Sequence, residues 1–140
     1  MHLAHGLTVS KSPINGKGCF ATVLFPKGRK IADYAGEKIS NAEAKRRAGR
    51  RVLRICAINN RWSIDGSRGG NGTHYINHSC RPNAYMKSHY GRMQFYALRD
   101  IQPGEEITVD YQSTLHPDTK RCSCRAPSCR GTINKVMSDE

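Results

Sequence analysis

Acidic side chains are in short supply. Eleven Asp and Glu stand against twenty-three Lys and Arg, leaving a formal charge of +12 at pH 7. Such an excess draws polyanions and steers a protein toward nucleic acid or acidic surfaces, although charge alone names no function. Long apolar runs are missing too, so no segment has the length of a membrane-spanning helix and no membrane partner is expected. The opening residues Met1-His2-Leu3-Ala4-His5-Gly6 have neither the basic start nor the apolar stretch of a secretory signal. The expected compartment is therefore intracellular and reducing, where clustered cysteines favour metal over disulfides. In such a compartment Asn71-Gly72-Thr73 and Asn77-His78-Ser79 are chance matches to the glycosylation triplet. Internal repeats, heptads and low-complexity stretches are also absent.

What remains is one domain of 140 residues with 37% hydrophobic content, enough for a core of modest buried fraction. Turn signals recur at Asn15-Gly16, Pro26-Lys27-Gly28, Asp65-Gly66, Gly69 to Gly72 and Pro103-Gly104. Between them, Cys19 to Leu24, Lys30 to Tyr34, Arg51 to Ile58, Ala84 to Ser88 and Arg92 to Leu98 have strand character. One helix is signalled, with Ser40 and Glu43 as a capping box, Ala42, Ala44 and Ala48 inside, and Gly49 as its stop. A helical turn is expected from Thr73 into Asn77. The fold class is thus mainly β, with several small sheets. The polar stretch Gln112 to Arg121, containing Pro117, reads as a linker to a semi-independent tail.

Cys122, Cys124 and Cys129 form a C-x-C-x4-C cluster in that tail, and Asn77-His78-Ser79-Cys80 supplies a fourth thiol. Four thiolates make a closed, tetrahedral, structural zinc site with no position left for catalysis. Cys19 and Cys56 lie outside any ligand spacing and are expected to be small core residues, as are Phe20 and Trp62. No shared spacing gives His2, His5, His74, His89 or His116 a role. The basic stretch Lys45-Arg46-Arg47, Arg50, Arg51 and Arg54 is either a solvated helix face or a polyanion contact.

Taken in order, Gly16-Lys17-Gly18-Cys19, Tyr34-Ala35-Gly36-Glu37, Asn77-His78-Ser79-Cys80-Arg81-Pro82-Asn83 and Gly104-Glu105-Glu106-Ile107-Thr108-Val109-Asp110-Tyr111 resemble the SET-domain protein lysine methyltransferases. The terminal cysteines, ending in Cys129-Arg130-Gly131, are similar to that family's post-SET zinc motif. The resemblance implies a SET-domain fold of small curved β-sheets over residues 7–112, with a C-terminal pseudoknot. A zinc-stapled tail would follow over residues 113–140. Threading of that kind is an exception to the usual absence of knots, and it brings the N-H-S-C and D-Y segments together.

The implied reaction moves a methyl group from S-adenosylmethionine to the ε-amine of a lysine. That amine must be neutral to attack, and deprotonation at pH 7 costs about 4–5 kcal/mol from its reference pKa of ~10.4. A narrow desolvated channel and a nearby sulfonium both lower this cost, so alignment matters more than a strong base. By resemblance, Tyr111 orients the amine, with a strand-end core aromatic as the alternative. Tyr34 lines the lysine channel or packs in the core. Asn77 and His78 contact the cofactor through the backbone and the Asn side chain, or form a plain turn. Gly16, Lys17, Gly18 and Cys19 place backbone against its methionine end, where glycine permits close approach.

The chain departs from the family pattern in three places. Val109 stands where an aromatic often helps set the number of methyls added; Tyr85 or Tyr96 is a candidate to fill that gap, and mono-, di- and trimethylation stay open. Arg125 replaces a glycine after the second tail cysteine, and Ser67-Arg68-Gly69 lacks bulky aromatics that often touch substrate. The expected substrate is a lysine of a histone-like or other basic protein, with electrostatic contact to DNA. Glu37, Asp65, Glu105 and Glu106 are candidate acids for receiving its basic peptide. The expected setting is the nucleus or chromatin of a eukaryote, or the cytoplasm of a bacterium. Two other classes compete: a non-catalytic, zinc-stapled nucleic-acid-binding module, and a disulfide-stapled secreted protein.

Overall fold

The computed structural model describes residues 2–48 and 54–110. Among the described residues, four small sheets carry the fold. Strands β1 (Leu7–Lys11) and β2 (Lys17–Ala21) form an antiparallel hairpin, closed by a turn in which Ser12 N–H donates to the Gly16 carbonyl at 2.8 Å. Strands β3 (Lys30–Asp33), β8 (Ala84–His89) and β9 (Arg92–Ala97) make a second sheet with β9 central. A third joins β4 (Glu37–Ser40), β5 (Ile55–Ala57) and β6 (Trp62–Asp65), with β6 central. The fourth pairs β7 (Asn77–His78) with β10 (Thr108–Val109) in parallel.

Helix α1 (Asn41–Arg47) starts as its sequence predicts, with Glu43 N–H donating to Ser40 Oγ at 3.1 Å. The return arm of the capping box is not made, because the Glu43 carboxylate pairs with Arg46 and Arg47 instead. Only Ala44 of the helix is buried, against Ile39 and Ile55. Gly49 and the start of the expected Arg51 to Ile58 strand lie outside the described residues. Arg54 stands ahead of β5, not on a helix face. The expected turn is a 3₁₀ turn over Thr73–Tyr75.

Cys19, Phe25, Tyr34, Ile64, Phe95, Ile101, Ile107 and Val109 belong to one core cluster. Removing that apolar surface from water drives the sheets together, at roughly 25 cal/mol per Å². Strand alternation decides which residues contribute. Met86 opposite Phe95 faces the core, whereas Tyr85 opposite Tyr96 points outward. The two tyrosines stack at 5.5 Å, and Tyr85 is 38% exposed. They therefore do not fill a gap beside Val109, which is itself buried and paired with His78.

Gly36 explains the small residue after Tyr34-Ala35. A Cβ there would overlap the carbonyl of Asp65, where β4 meets β6. Among the described residues no helix is long and apolar enough to cross a membrane.

Candidate active site

The site begins with the segment that follows Pro103. Gly104 N–H donates to the Ala21 carbonyl at 2.7 Å, Ala21 N–H to Glu105 at 2.9 Å, and Ile107 N–H to Cys19 at 2.8 Å. These bonds zip Gly104-Glu105-Glu106-Ile107 onto β2. The chain then turns into β10 beside β7, and Ser79 N–H donates to the Val109 carbonyl at 3.0 Å. A segment near the end of the described chain is thus held between the first hairpin and the N-H-S-C run. How the chain passes beyond Asp110, and hence the pseudoknot threading, lies outside the described residues.

Three motifs meet at the Glu106 carboxylate. Ser12 Oγ donates to it, 2.8 Å from each oxygen, and Asn77 Nδ2 donates to Oε2 at 2.9 Å. The same Asn77 nitrogen lies 3.3 Å from the Asn15 carbonyl and 3.1 Å from that of Lys17. Gly18 completes the cradle, because a Cβ there would overlap the Glu106 carboxylate and reach Ser12 Cβ at 3.0 Å. The glycine loop and the N-H-S-C asparagine are therefore adjacent. Gly16 itself sits at φ 47 in the turn, with nothing within 4 Å of a Cβ position.

His78 is buried, with Nδ1 3.6 Å from Asp110 Oδ1 and Nε2 3.4 Å from Cys80 Sγ. It ties the D-Y segment to the N-H-S-C run through its side chain. Tyr111, directly after Asp110, lies outside the described residues. So do Cys122, Cys124 and Cys129, and Cys80 is the one described member of the expected zinc set. Among the described residues no group of three or more His, Cys, Asp or Glu gathers for a metal.

Cys19 is fully buried, and burial, aided by the Glu106 charge, pushes its thiol up to about 12. Burial does the same to Cys56. Neither is a nucleophile, as the core reading expects. Phe20 and Trp62 are only half-buried, and Trp62 carries Lys38 Nζ 5.1 Å above its ring.

Tyr34 packs in the core with its ring 6.0 Å from Phe95, and its hydroxyl donates to the Arg54 carbonyl at 2.5 Å. From there a cationic bridge runs back to the glycine loop. Arg54 Nη1 donates to the His74 carbonyl at 2.8 Å, and its guanidinium lies 4.8 Å over the Tyr75 ring. Lys17 Nζ lies 5.9 Å from the same ring. Burial, then the Arg54 charge, holds the His74 imidazole below its usual range, so it adds no third cation. Sequence reasoning missed Arg54 and Tyr75. An arginine in a basic run carries no signal that it will cover a particular aromatic.

The four candidate acids for a basic peptide are occupied internally. Glu37 and Asp65 pair with Arg47 at 2.9 and 2.8 Å, Glu105 with Arg99 at 3.2 Å, and Glu106 with Ser12 and Asn77. The other described acids do likewise. Asp33 meets Lys30 and Arg92, Glu43 meets Arg46 and Arg47, Asp100 accepts from Lys27 N–H, and Asp110 meets His78. These carboxylates are therefore already paired with groups of the chain itself.

Known proteins are similar to this chain in sequence. Over 144 residues the chain is 38% identical to histone-lysine N-methyltransferase Set2 of Drosophila melanogaster, covering 94% of this chain and 6% of that protein. Over 147 residues it is 36% identical to histone-lysine N-methyltransferase TRX1 of Oryza sativa subsp. japonica, covering 95% and 14%. Histone-lysine N-methyltransferase ash1 of Drosophila melanogaster is 34% identical over 129 residues, covering 84% and 6%. The chain thus spans a small fraction of the length of these curated relatives. Residues 16–112, from the glycine loop to just past the D-Y pair, match the SET domain. Sequence match and strand pairing agree, and the chain belongs to the SET domain family.

Proposed function

We propose that this chain is a protein lysine N-methyltransferase that uses S-adenosylmethionine and acts on a histone or another basic, DNA-associated protein. The observation that carries the reading is the convergence of the Gly18 cradle, the Asn77 amide and the strand leading into Tyr111. S-adenosylmethionine, when bound, supplies a methyl group made electrophilic by its sulfonium. The described residues fit such a ligand: the glycine-loop backbone, an Asn77 side-chain oxygen that accepts from no described residue, and two cations flanking Tyr75 at the edge. Lys17, Gly18 and Asn77 bind and orient, with Gly16 and the Cys19 backbone completing the loop. The buried His78 ring anchors Asp110 and so directs the chain that enters Tyr111. Tyr111 is the residue assigned to orient the lysine amine, and Tyr34 forms part of the channel wall through its packed ring. Excluding water there favours the neutral amine, which is the attacking form.

Residues 7–112 form the catalytic core in this reading, and residues 113–140 a post-SET tail. Cys80 would hold a structural zinc with Cys122, Cys124 and Cys129. The uncompensated surface charge favours a substrate presented on DNA, since DNA phosphates attract the same face that repels a free basic tail. The relatives named as histone-lysine methyltransferases support a nuclear, chromatin-bound setting.

The test is transfer of labelled methyl groups from S-adenosylmethionine to histones and nucleosomes, with mass spectrometry locating the lysine and counting its methyls. Tyr111→Phe should nearly abolish turnover while cofactor affinity stays close to normal. A purified chain that binds no S-adenosylmethionine in calorimetry would end the reading in favour of a non-catalytic module.

A further inference from the structure

We propose that Glu106 is a positioning residue that aims the Asn77 side-chain oxygen at the ammonium group of the methyl donor. The inference rests on the reading above, in which the site formed by the glycine loop and Asn77 takes that donor.

The amide of Asn77 is planar, with a two-hydrogen donor on one arm and an acceptor on the other. Three acceptors converge on the donor arm: Glu106 Oε2 at 2.9 Å, the Lys17 carbonyl at 3.1 Å and the Asn15 carbonyl at 3.3 Å. A flipped amide would turn its oxygen toward three other oxygens, one of them charged, and lose every bond. The orientation is therefore set by the chain itself. On the other arm, Oδ1 accepts no hydrogen bond from a described residue and is not sealed off from solvent. An acceptor held in that state suits a ligand donor, and the amino-acid end of S-adenosylmethionine carries an ammonium.

Glu106 suits the role because an ionised carboxylate only accepts. It is held from both sides, its own backbone bridging Phe20 and its carbonyl accepting from Asn83 Nδ2 at 2.8 Å. Ser12 Oγ fixes the carboxylate against the turn that carries the Asn15 and Lys17 carbonyls. Gly18 leaves the space it fills. One side chain thus couples the glycine loop to the N-H-S-C asparagine without touching ligand.

The experiment is calorimetry on the full chain with S-adenosylhomocysteine and with its analogue lacking the α-amine. Glu106→Ala is expected to weaken S-adenosylhomocysteine by roughly ten- to a hundredfold and to leave the analogue nearly unchanged. Glu106→Gln, which keeps one accepting oxygen but loses the charge, should recover part of the loss. Equal weakening of both ligands would overturn the proposal, because a slack loop would serve each badly. Equal binding of both ligands by the unaltered chain would overturn it too. If Glu106→Ala fails to fold by thermal unfolding, the same two-ligand comparison is made on Glu106→Gln, where a selective loss for the amine-bearing ligand supports the role and an equal loss refutes it. Failure of the unaltered chain to bind either ligand would instead remove the cofactor reading beneath it.

Discussion

Asn83 and Thr108 grip each other twice. Thr108 N–H donates to Asn83 Oδ1 at 2.9 Å, and Asn83 N–H donates to Thr108 Oγ1 at 3.3 Å. Asn83 Nδ2 adds a third bond, to the Glu106 carbonyl. Both residues are buried, so groups left unpaired there lose their full hydration. Asn83→Ala should therefore cost about 2–4 kcal/mol in urea unfolding, and turnover should fall more than cofactor affinity, because β10 leads into Tyr111. An unfolding midpoint equal to that of the unaltered protein would show that the clip contributes nothing.

The two buried thiols should be chemically silent. With pKa values pushed up to about 12, Cys19 and Cys56 expose almost no thiolate at pH 8. Alkylation should be slowed by about a thousandfold relative to an ordinary thiol, and peptide mapping after brief iodoacetamide treatment checks this. The sign for stability follows. The folded state keeps these protons longer than the unfolded chain, so their contribution is intact below about 9 and is lost as pH climbs toward 12. Rapid labelling of Cys19 in the folded protein would contradict the packing.

Arg47 joins the Glu37, Glu43 and Asp65 carboxylates, and Asp65 has a side chain only 1% exposed. Removing the cation takes a charged donor away from that buried carboxylate, to which the Ser67 N–H and hydroxyl also donate. Arg47→Met should lower the melting temperature by about 5–10 °C. Adding Asp65→Asn should recover part of the drop. A double variant no better than the single one would argue that the arginine acts through its packing rather than its charge.

Acid should loosen the turn before β10. Burial raises the Glu105 carboxyl, but Arg99 and the Gln102 N–H outweigh it, and the net position is below the usual 4.5. Hydrogen bonds from Arg46 and then Arg47 lower Glu43 likewise. Both groups bind protons less readily folded than unfolded, so their contribution is present above about 4.5 and disappears as pH falls through the lower folded values. Glu105→Gln should flatten the acid limb of a plot of urea midpoint against pH. An identical limb in the variant would remove Glu105 from the account.

Much of the fold was visible in the residue string wherever one residue type has one physical reason to be there. Ser40 and Glu43 marked the helix start, and runs such as Lys30 to Tyr34 and Arg92 to Leu98 fell on observed strands to within one residue. Strands β4 and β6 escaped because Glu37–Ser40 and Trp62–Asp65 are short and mix charged with apolar side chains. The β8–β9 turn escaped for another reason. Tyr90 occupies the first of its two left-handed positions, at φ 47 ahead of Gly91 at φ 74, where sequence rules expect Asn, Asp or Gly. Ordered motifs placed Gly18, Asn77 and His78 in one neighbourhood. Acid partners were illegible, since Glu37 and Asp65 choose Arg47 only once β4 and β6 pair. Tyr85 and Tyr96 could not be placed for want of a register, because facing is set by alternation against a partner strand.

Ser12 and Glu106 touch across ninety-four positions of sequence, and Asn77 joins them from between. Until residue 106 has been added, these three side chains cannot meet. A ribosome stalled before residue 104 would present the first hairpin without its Glu106 lock and β7 without its β10 partner.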